Sequence, residues 1–303
     1  MQVEEAAAQI KELKVQGAEN IARFALKTLR EVVGSSEANT PAALYEEMSN
    51  AARILSRARP TEPCMFNSFR YVFLGLKRGS TVELYKSALE RIDAALKHLD
   101  DAQETIAEIG AKKIRNGSIV FTHCHSSTVI KILETAKRNG KKFEVYNTET
   151  RPLFQGRKTA EELNSLGIPV THFVDAAARY AIKKCDIALI GADAITSEGK
   201  VVNKIGSELF AEIARKFEVP FYSCTDSWKF DVESIFGYEK NLEMRSPVEI
   251  WADAPKGIKI NNYAFEKVDT ELITGIISEL GIYHPDVFVH EIKSTYPELF
   301  KKY

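Results

Sequence analysis

A cysteine between two histidines is the first feature of the sequence that could do chemistry. The segment FTHCHSS, residues 121–127, places Cys124 between an apolar run and a hydroxyl-rich helix start. Helix N-termini and cations favour a thiolate, the form that acts as base or nucleophile. The alternative is a buried apolar residue, which most cysteines are. A zinc site is less well supported, because adjacent residues of an extended chain point to opposite sides and no partner motif is visible.

A carboxylate follows the most apolar run of the chain, DIALIGADAI, which contains Asp193. Desolvation raises the pKa of a carboxyl group, and a carboxyl that stays protonated can act as a general acid. An aspartate that caps a loop is the alternative. A Cys base and an Asp acid beside phosphate-binding groups would suit proton transfer on a sugar phosphate.

Other polar residues lie at the ends of predicted strands or the starts of helices. Hydroxyl groups at a helix start predict either an ordinary cap or a phosphate cradle, and the sequence does not decide between them. A lysine can neutralise a phosphate and an asparagine can bind a hydroxyl, yet each alone is typical of a solvated surface. These candidates are Ser126, Ser127, Thr128, Arg151, Asn203, Lys204 and Lys229.

Two halves with different periodicity must position these residues. Apolar residues recur at helical spacing through residues 1–115, with helix-start signals at Thr40-Pro41 and at Ser80 with Glu83. After Gly117, short apolar runs alternate with helical stretches, including NKIGSELFAEIARKF. We therefore predict an α/β protein, in which an N-terminal helical lobe (1–115) precedes a Rossmann-like domain (116–303) with a mainly parallel sheet.

The topology of such a sheet makes the candidates converge. DIALIG is the most apolar run and is predicted to be a central strand. Ligands of open α/β sheets bind beyond the carboxyl ends of the strands. The segments THCHSS, NTETRP, VDAAA, GADAI and SCTDSWKF all follow predicted strands, so the polar chemistry is expected at one edge.

The composition excludes several classes of function. The 303 residues include 41 basic and 42 acidic side chains, a net charge of −1, which does not fit a nucleic-acid binder. No apolar run reaches the length of a membrane span, and no signal peptide is visible. Four cysteines without a CxxC pair indicate free thiols in the cytoplasm. Because Walker A and GxGxxG motifs are absent, we expect no nucleotide or dinucleotide cofactor.

The ordered motifs THCHSS, TETRPLFQG, VDAAA, GADAI, VVNKIG and WKF resemble one family. It joins the alpha, beta and delta subunits of initiation factor 2B with isomerases of methylthioribose 1-phosphate and ribose 1,5-bisphosphate. The resemblance runs from about Gln16 to Pro285. THCHSS together with TETRPLFQG is similar to the archaeal ribose-1,5-bisphosphate isomerases, whereas methylthioribose-1-phosphate isomerases tend to read CNAG and GADRI where this chain reads CHSS and GADAI.

The resemblance implies an aldose-ketose isomerase that forms ribulose 1,5-bisphosphate, a Rubisco substrate, without metal or cofactor. Cys124 would accept a proton as a thiolate, with its pKa lowered by neighbours such as His123, Arg151 and Lys204, and Asp193 would donate one. The resemblance also implies a homo-oligomer, dimer or hexamer, and leaves AMP as a candidate activator. The implied substrate ligands are Gln16, Gly17, Ala18, Glu19, Arg59, Ser126, Ser127, Thr128, Arg151, Asn203, Lys204 and Lys229.

The chain departs from the isomerase pattern near its N-terminus. The isomerases usually read Arg-Gly-Ala where this chain reads QGAE, so Gln16 replaces a cation and Glu19 adds an anion. DSWKF also replaces a more usual Glu-Thr-Tyr-Lys-Phe. Two alternatives follow: a non-catalytic regulatory subunit of the initiation factor 2B type, and a methylthioribose-1-phosphate isomerase.

Overall fold

The computed structural model describes residues 2–77, 79–237 and 243–300, which contain α-helices, β-strands and short 3₁₀ turns. The helices are α1 (Val3–Lys11), α2 (Ala18–Ser35), α3 (Pro41–Ala58), α4 (Pro63–Leu74), α5 (Thr81–Ala111), α6 (Ser127–Arg138), α7 (Gln155–Ser165), α8 (Ala178–Ile182), α9 (Ser207–Lys216) and α10 (Pro285–Thr295). The strands are β1 (Ile119–Thr122), β2 (Glu144–Thr148), β3 (Val170–Phe173), β4 (Ile187–Ile190), β5 (Ala194–Ile195), β6 (Val201–Lys204), β7 (Phe221–Cys224), β8 (Phe265–Val268), β9 (Gly275–Ser278) and β10 (Gly281–Tyr283).

The main sheet has seven strands in the order β10-β9-β7-β4-β1-β2-β3. All neighbouring pairs are parallel except β9 with β10. Every residue of β4 is buried, and β4 is the middle strand, as its apolar run predicted. The predicted α/β class and mainly parallel sheet are confirmed.

The chain divides into two compact units. One contains Met1–Ala102, Trp228–Val232 and Ile292–Tyr303, and its apolar core is formed mainly by the faces of α1 to α5. The other contains Gln103–Ser227 and Glu233–Glu291 and holds both sheets. The two units divide within α5, after Ala102. The domain boundary expected from the sequence, after residue 115, lies beyond the end of that helix and stays a prediction.

The predicted helix starts are present. Thr40 Oγ1 accepts a hydrogen bond from the backbone N–H of Ala43, and Pro41 is the first residue of α3. Ser80 and Glu83 form a reciprocal capping box, with bonds of 2.7 Å to the Glu83 carboxylate and 3.3 Å to the Ser80 hydroxyl. None of the helices in the described ranges has the length and apolar character that crossing a bilayer requires.

A second sheet was not predicted from the sequence. It has three antiparallel strands in the order β5-β6-β8. Asn203 and Lys204, predicted to be in or directly before a helix, are the last residues of strand β6, and α9 begins only at Ser207. The strand is preferred because Lys204 pairs in register with Phe265 of β8.

Candidate active site

Two neighbouring strands of the main sheet carry Cys124 and Asp193 just beyond their carboxyl ends. Strand β1 ends at Thr122 and β4 ends at Ile190, and these two strands are paired in parallel. The charge of Asp193 acts on the Cys124 thiol, which shows that the two side chains are electrostatic neighbours. The predicted convergence of these two residues is therefore present in the structure.

Cys124 has a left-handed backbone, with φ +65°, which is unusual for a residue other than glycine. Two threonines hold it there. The Cys124 N–H donates to Thr150 Oγ1 at 3.0 Å, and Thr159 Oγ1 donates to the Cys124 carbonyl at 2.7 Å. Asp175 in turn accepts from the Thr150 N–H at 2.9 Å. A strained conformation held by several bonds is typical of a functional position.

His123 is buried, and both of its ring nitrogens are bonded within the protein. Its Nε2 lies 3.0 Å from the carbonyl of Ile205 and therefore donates, so Nδ1 accepts from Thr148 Oγ1 at 2.7 Å. Burial lowers the pKa of His123 to about 4. The ring is therefore neutral at pH 7. His123 is not among the groups that act on the thiol, so the expectation that it lowers the pKa of Cys124 is wrong.

The thiol itself is protonated in the ligand-free protein. Burial raises the pKa of Cys124 to about 11, although Lys204, the His125 backbone N–H and Arg245 act to lower it. The expectation of a lowered pKa is therefore wrong for this state. Arg151 is not among the groups that act on the thiol: it is exposed, and its guanidinium donates to a backbone carbonyl at residue 250, 3.2 Å away.

Alkylation of Cys124 by iodoacetamide should be slow at neutral pH and should accelerate steadily with pH. With a pKa of about 11, roughly one thiol in 10⁴ is ionised at pH 7, and only the thiolate reacts. We expect the rate, followed by mass spectrometry, to rise about tenfold per pH unit from pH 7 to 10. The other cysteines, Cys64, Cys185 and Cys224, are buried, and a Cys124→Ala variant gives the background rate. A plateau below pH 9 would contradict the raised pKa.

The β5–β6 hairpin brings Lys204 to the same edge as Asp193. The Asp193 N–H donates to the Val202 carbonyl at 2.8 Å, which closes the hairpin. Lys204 is only 7% exposed, and its Nζ lies 4.4 Å from the centre of the Phe265 ring. Among the described residues, its ammonium group has no hydrogen-bond or ion-pair partner. Burial lowers the pKa of Lys204, while Cys124 and Asp193 act to raise it.

The hydroxyl groups at the start of α6 include an ordinary cap. Ser126 Oγ accepts from the N–H of Val129 at 3.3 Å. Gly191, which follows β4, packs against this cap, since a Cβ there would lie 2.7 Å from Ser126 Oγ. Ser127 is half-buried and Thr128 is buried. Phosphate binding by these three residues stays a prediction.

The QGAE segment lies in the helical unit. Gln16 is exposed and its Nε2 donates to a backbone carbonyl one turn earlier, at 2.9 Å. Gly17, with φ +88°, precedes α2, and Ala18 begins that helix. Glu19 is buried and pairs with Arg23, whose Nη2 lies 2.7 Å from its carboxylate. The negative charge that Glu19 adds to the segment is therefore compensated locally.

Arg59 and Lys229 also belong to the helical unit and are buried. Arg59 follows the last residue of α3, and its Nε lies 3.2 Å from a carboxylate oxygen of Glu62. Lys229 is the last residue of the short 3₁₀ turn Ser227–Lys229. Asn203 lies in the other unit, where its Nδ2 donates to Ser207 Oγ at 2.9 Å. Substrate contacts of Arg59, Lys229 and Asn203 stay predictions.

Two residues near this edge were missed. Arg245 acts electrostatically on both Cys124 and Lys204, but it lies in a loop without a motif. Glu266, on β8, accepts from the N–H of Glu208 at 2.8 Å and from those of the two preceding residues. Because the Glu266 carboxylate covers the start of α9, that helix does not offer an anion site, whereas α6 begins with neutral hydroxyl groups.

The chain is similar to known proteins over almost its whole length. The sequence model of the Initiation factor 2 subunit family matches residues 14–285. The ribose 1,5-bisphosphate isomerase of Pyrococcus furiosus is 37% identical, over 99% of this chain and 96% of the relative, and that of Methanocaldococcus jannaschii is 39% identical, over 93% and 92%. The crystal structure of the translation initiation factor eIF-2B of Pyrococcus horikoshii superposes with a TM-score of 0.82 at 27% identity, covering 95% of this chain and 98% of that one.

Proposed function

The chain belongs to the Initiation factor 2 subunit family, and from this premise we propose that it is a sugar-phosphate isomerase that converts ribose 1,5-bisphosphate to ribulose 1,5-bisphosphate. The sequence similarity to proteins of that name covers nearly the full length of both chains. Cys124 and Asp193, which a proton-transfer mechanism needs, are both present beside a buried lysine.

The observation that carries the proposal is the unpartnered ammonium group of Lys204. A buried charge is costly unless an opposite charge or hydrogen-bond acceptor compensates it. Since no described residue supplies that partner, Lys204 is suited to an anion that arrives from solvent. Its position among the charges that act on Cys124 puts such an anion beside the proposed base. A phosphate group of the substrate fulfils both conditions.

The proposed reaction moves protons among four atoms of the substrate: C2, its hydroxyl oxygen, C1 and the ring oxygen. The Cys124 thiolate takes the proton from C2, the electrons of that bond form a C1–C2 double bond, and the bond from C1 to the ring oxygen breaks. Asp193 gives its proton to the departing ring oxygen. The proton held by Cys124 then returns to C1, the C2 hydroxyl becomes the ketone, and its proton restores Asp193. No electrons leave the substrate, so no redox partner is required.

The raised pKa of Cys124 constrains how this reaction starts. The reactive pair, thiolate with protonated Asp193, carries the same net charge as its tautomer, thiol with an Asp193 carboxylate. Converting one to the other therefore needs an internal proton shift and no exchange with solvent. Lys204 favours the thiolate, because its charge lowers the thiol pKa against the effect of burial. In this scheme the less populated protonation state, the Cys124 thiolate with protonated Asp193, is the one that reacts.

The finer predictions belong to the same proposal. We infer that the protein works in the cytoplasm as a homo-oligomer, dimer or hexamer, that AMP activates it, and that its product is consumed by a carboxylase of the Rubisco type. The assay below, run with and without AMP, tests activation. Light scattering of the purified protein tests the oligomeric state separately from turnover.

The decisive experiment is a direct assay of the purified protein with two substrates. Ribose 1,5-bisphosphate should be converted to ribulose 1,5-bisphosphate, and methylthioribose 1-phosphate should be converted much more slowly. A preference for the methylthio sugar would assign the chain to the alternative isomerase. No turnover of either substrate by folded protein would favour a binding subunit of the initiation factor type.

A further inference from the structure

The side chain of Arg245 is mostly buried but uses only part of its hydrogen-bonding capacity. It is 11% exposed, and its Nε donates to a carboxylate oxygen of Glu243 at 2.9 Å. Within the described ranges, its two terminal nitrogens have no acceptor. A guanidinium carries five N–H donors, so the two terminal nitrogens keep donors that are available to a ligand. The free end of the fork is therefore suited to a planar or tetrahedral oxyanion.

Arg245 lies on the same aromatic ring as Lys204. The central carbon of its guanidinium is 5.9 Å from the centre of the Phe265 ring, and Lys204 Nζ is 4.4 Å from the same centre. Phe265 is the register partner of Lys204 across β6 and β8. Both cations act on the thiol of Cys124, so they belong to one site within the α/β unit.

Among the described residues, the carboxylates at this site leave Lys204 and the terminal nitrogens of Arg245 without an ion-pair partner. The groups that act on Cys124 or Lys204 are two cations, Lys204 and Arg245, and two carboxylates, Asp193 and Glu243. Glu243 is committed to the Nε edge of Arg245, and the proposed mechanism requires Asp193 in its protonated form. The thiolate of Cys124 then carries that negative charge instead. The terminal nitrogens of Arg245 still have no acceptor among the described residues, and they point to an additional anionic ligand.

We propose that Arg245 binds a phosphate group of the substrate through its two terminal nitrogens and selects a sugar bisphosphate over a sugar monophosphate. This inference rests on the proposed function and adds a specificity-determining residue to it. A guanidinium fork matches two phosphate oxygens at once, which an ammonium group such as that of Lys204 does not. Glu243 orients the fork by holding the opposite edge.

The test compares the binding of two ligands in one inactive background. In a Cys124→Ser protein, calorimetry gives Kd values for ribose 1,5-bisphosphate and methylthioribose 1-phosphate without turnover. Adding Arg245→Met should raise the Kd for ribose 1,5-bisphosphate about 30-fold or more, as expected for loss of a charge-assisted contact to one phosphate. The Kd for methylthioribose 1-phosphate should change by no more than about threefold. Adding Arg245→Lys should raise the Kd for ribose 1,5-bisphosphate about tenfold, because lysine keeps the positive charge but cannot bind two phosphate oxygens at once.

Matched controls keep the result interpretable. Arg215→Met removes an exposed arginine of the same unit, which pairs with Glu271 at 3.4 Å, and should change neither affinity. If Arg245→Met fails to fold, Arg245→Lys still tests the inference, since lysine keeps the buried positive charge. The inference would be overturned by an unchanged affinity for the bisphosphate in either folded variant. An equal loss of affinity for both ligands, or no measurable binding of the bisphosphate, would also overturn it. Turnover by the unmodified protein tests the proposed function separately.

Discussion

Replacing Cys124 with serine should lower kcat/KM for ribose 1,5-bisphosphate by about 10³-fold, within the range that general acid–base groups contribute. A serine hydroxyl fits the same space, but it is far less acidic than a thiol, so it cannot supply the base that removes the C2 proton. The bonds that hold the backbone at residue 124 come from the threonines at 150 and 159 and do not depend on the sulfur. The measurement is a steady-state assay of ribulose 1,5-bisphosphate formation.

The control for this variant is the same substitution at Cys185. That thiol is buried before β4, at the opposite end of the strand from Asp193, and donates to the carbonyl of Ala181 at 3.3 Å, a bond that a serine can keep. Cys185→Ser should retain activity within about threefold, because it touches no proposed site residue. Activity of Cys124→Ser close to that of the unmodified protein would rule out Cys124 as the base.

Replacing Lys204 with methionine should have the second largest effect. We expect KM for ribose 1,5-bisphosphate to rise about 10²-fold, the effect of removing one partner of a buried charge pair. The same change should slow alkylation of Cys124, because the cation that most lowers the thiol pKa is lost. The protein should stay folded, with a melting temperature at least as high, since methionine packs against Phe265 without a buried charge.

A matched control lies on the same hairpin. Lys200, in the turn between β5 and β6, pairs with Asp269 at 3.0 Å and is partly exposed. Lys200→Met should leave KM and the alkylation rate unchanged. A Lys204→Met variant with ordinary KM but slow alkylation would show that the lysine tunes the thiol without contacting the phosphate, which would remove the main support for the substrate proposal.

The sequence predicted the parts of the site that depend on strand order. Cys124 and Asp193 each follow a continuous apolar run, and parallel strands bring such positions to one edge. The cap at Ser126 follows from local hydroxyl chemistry in the same way. These features can be predicted from the sequence because each depends on residues that lie only a few positions away in the chain.

The parts that were missed depend on contacts between distant segments. Lys204 lies on a strand only because Phe265, far along the chain, supplies a partner, and Arg245 reaches the same ring from a loop without periodicity. The pKa of Cys124 was misjudged for a related reason. Local sequence showed the helix start that lowers a thiol pKa, whereas the burial that raises it comes from the packing of the whole edge.

The protonated state of Cys124 also has a consequence for oxidative damage. Peroxide converts thiolates, and not thiols, to sulfenic acid and then to irreversible higher oxides. A site whose sulfur is protonated is therefore protected from oxidants while it is empty. The same burial that makes the resting thiol a poor base therefore also preserves the sulfur on which the proposed mechanism depends.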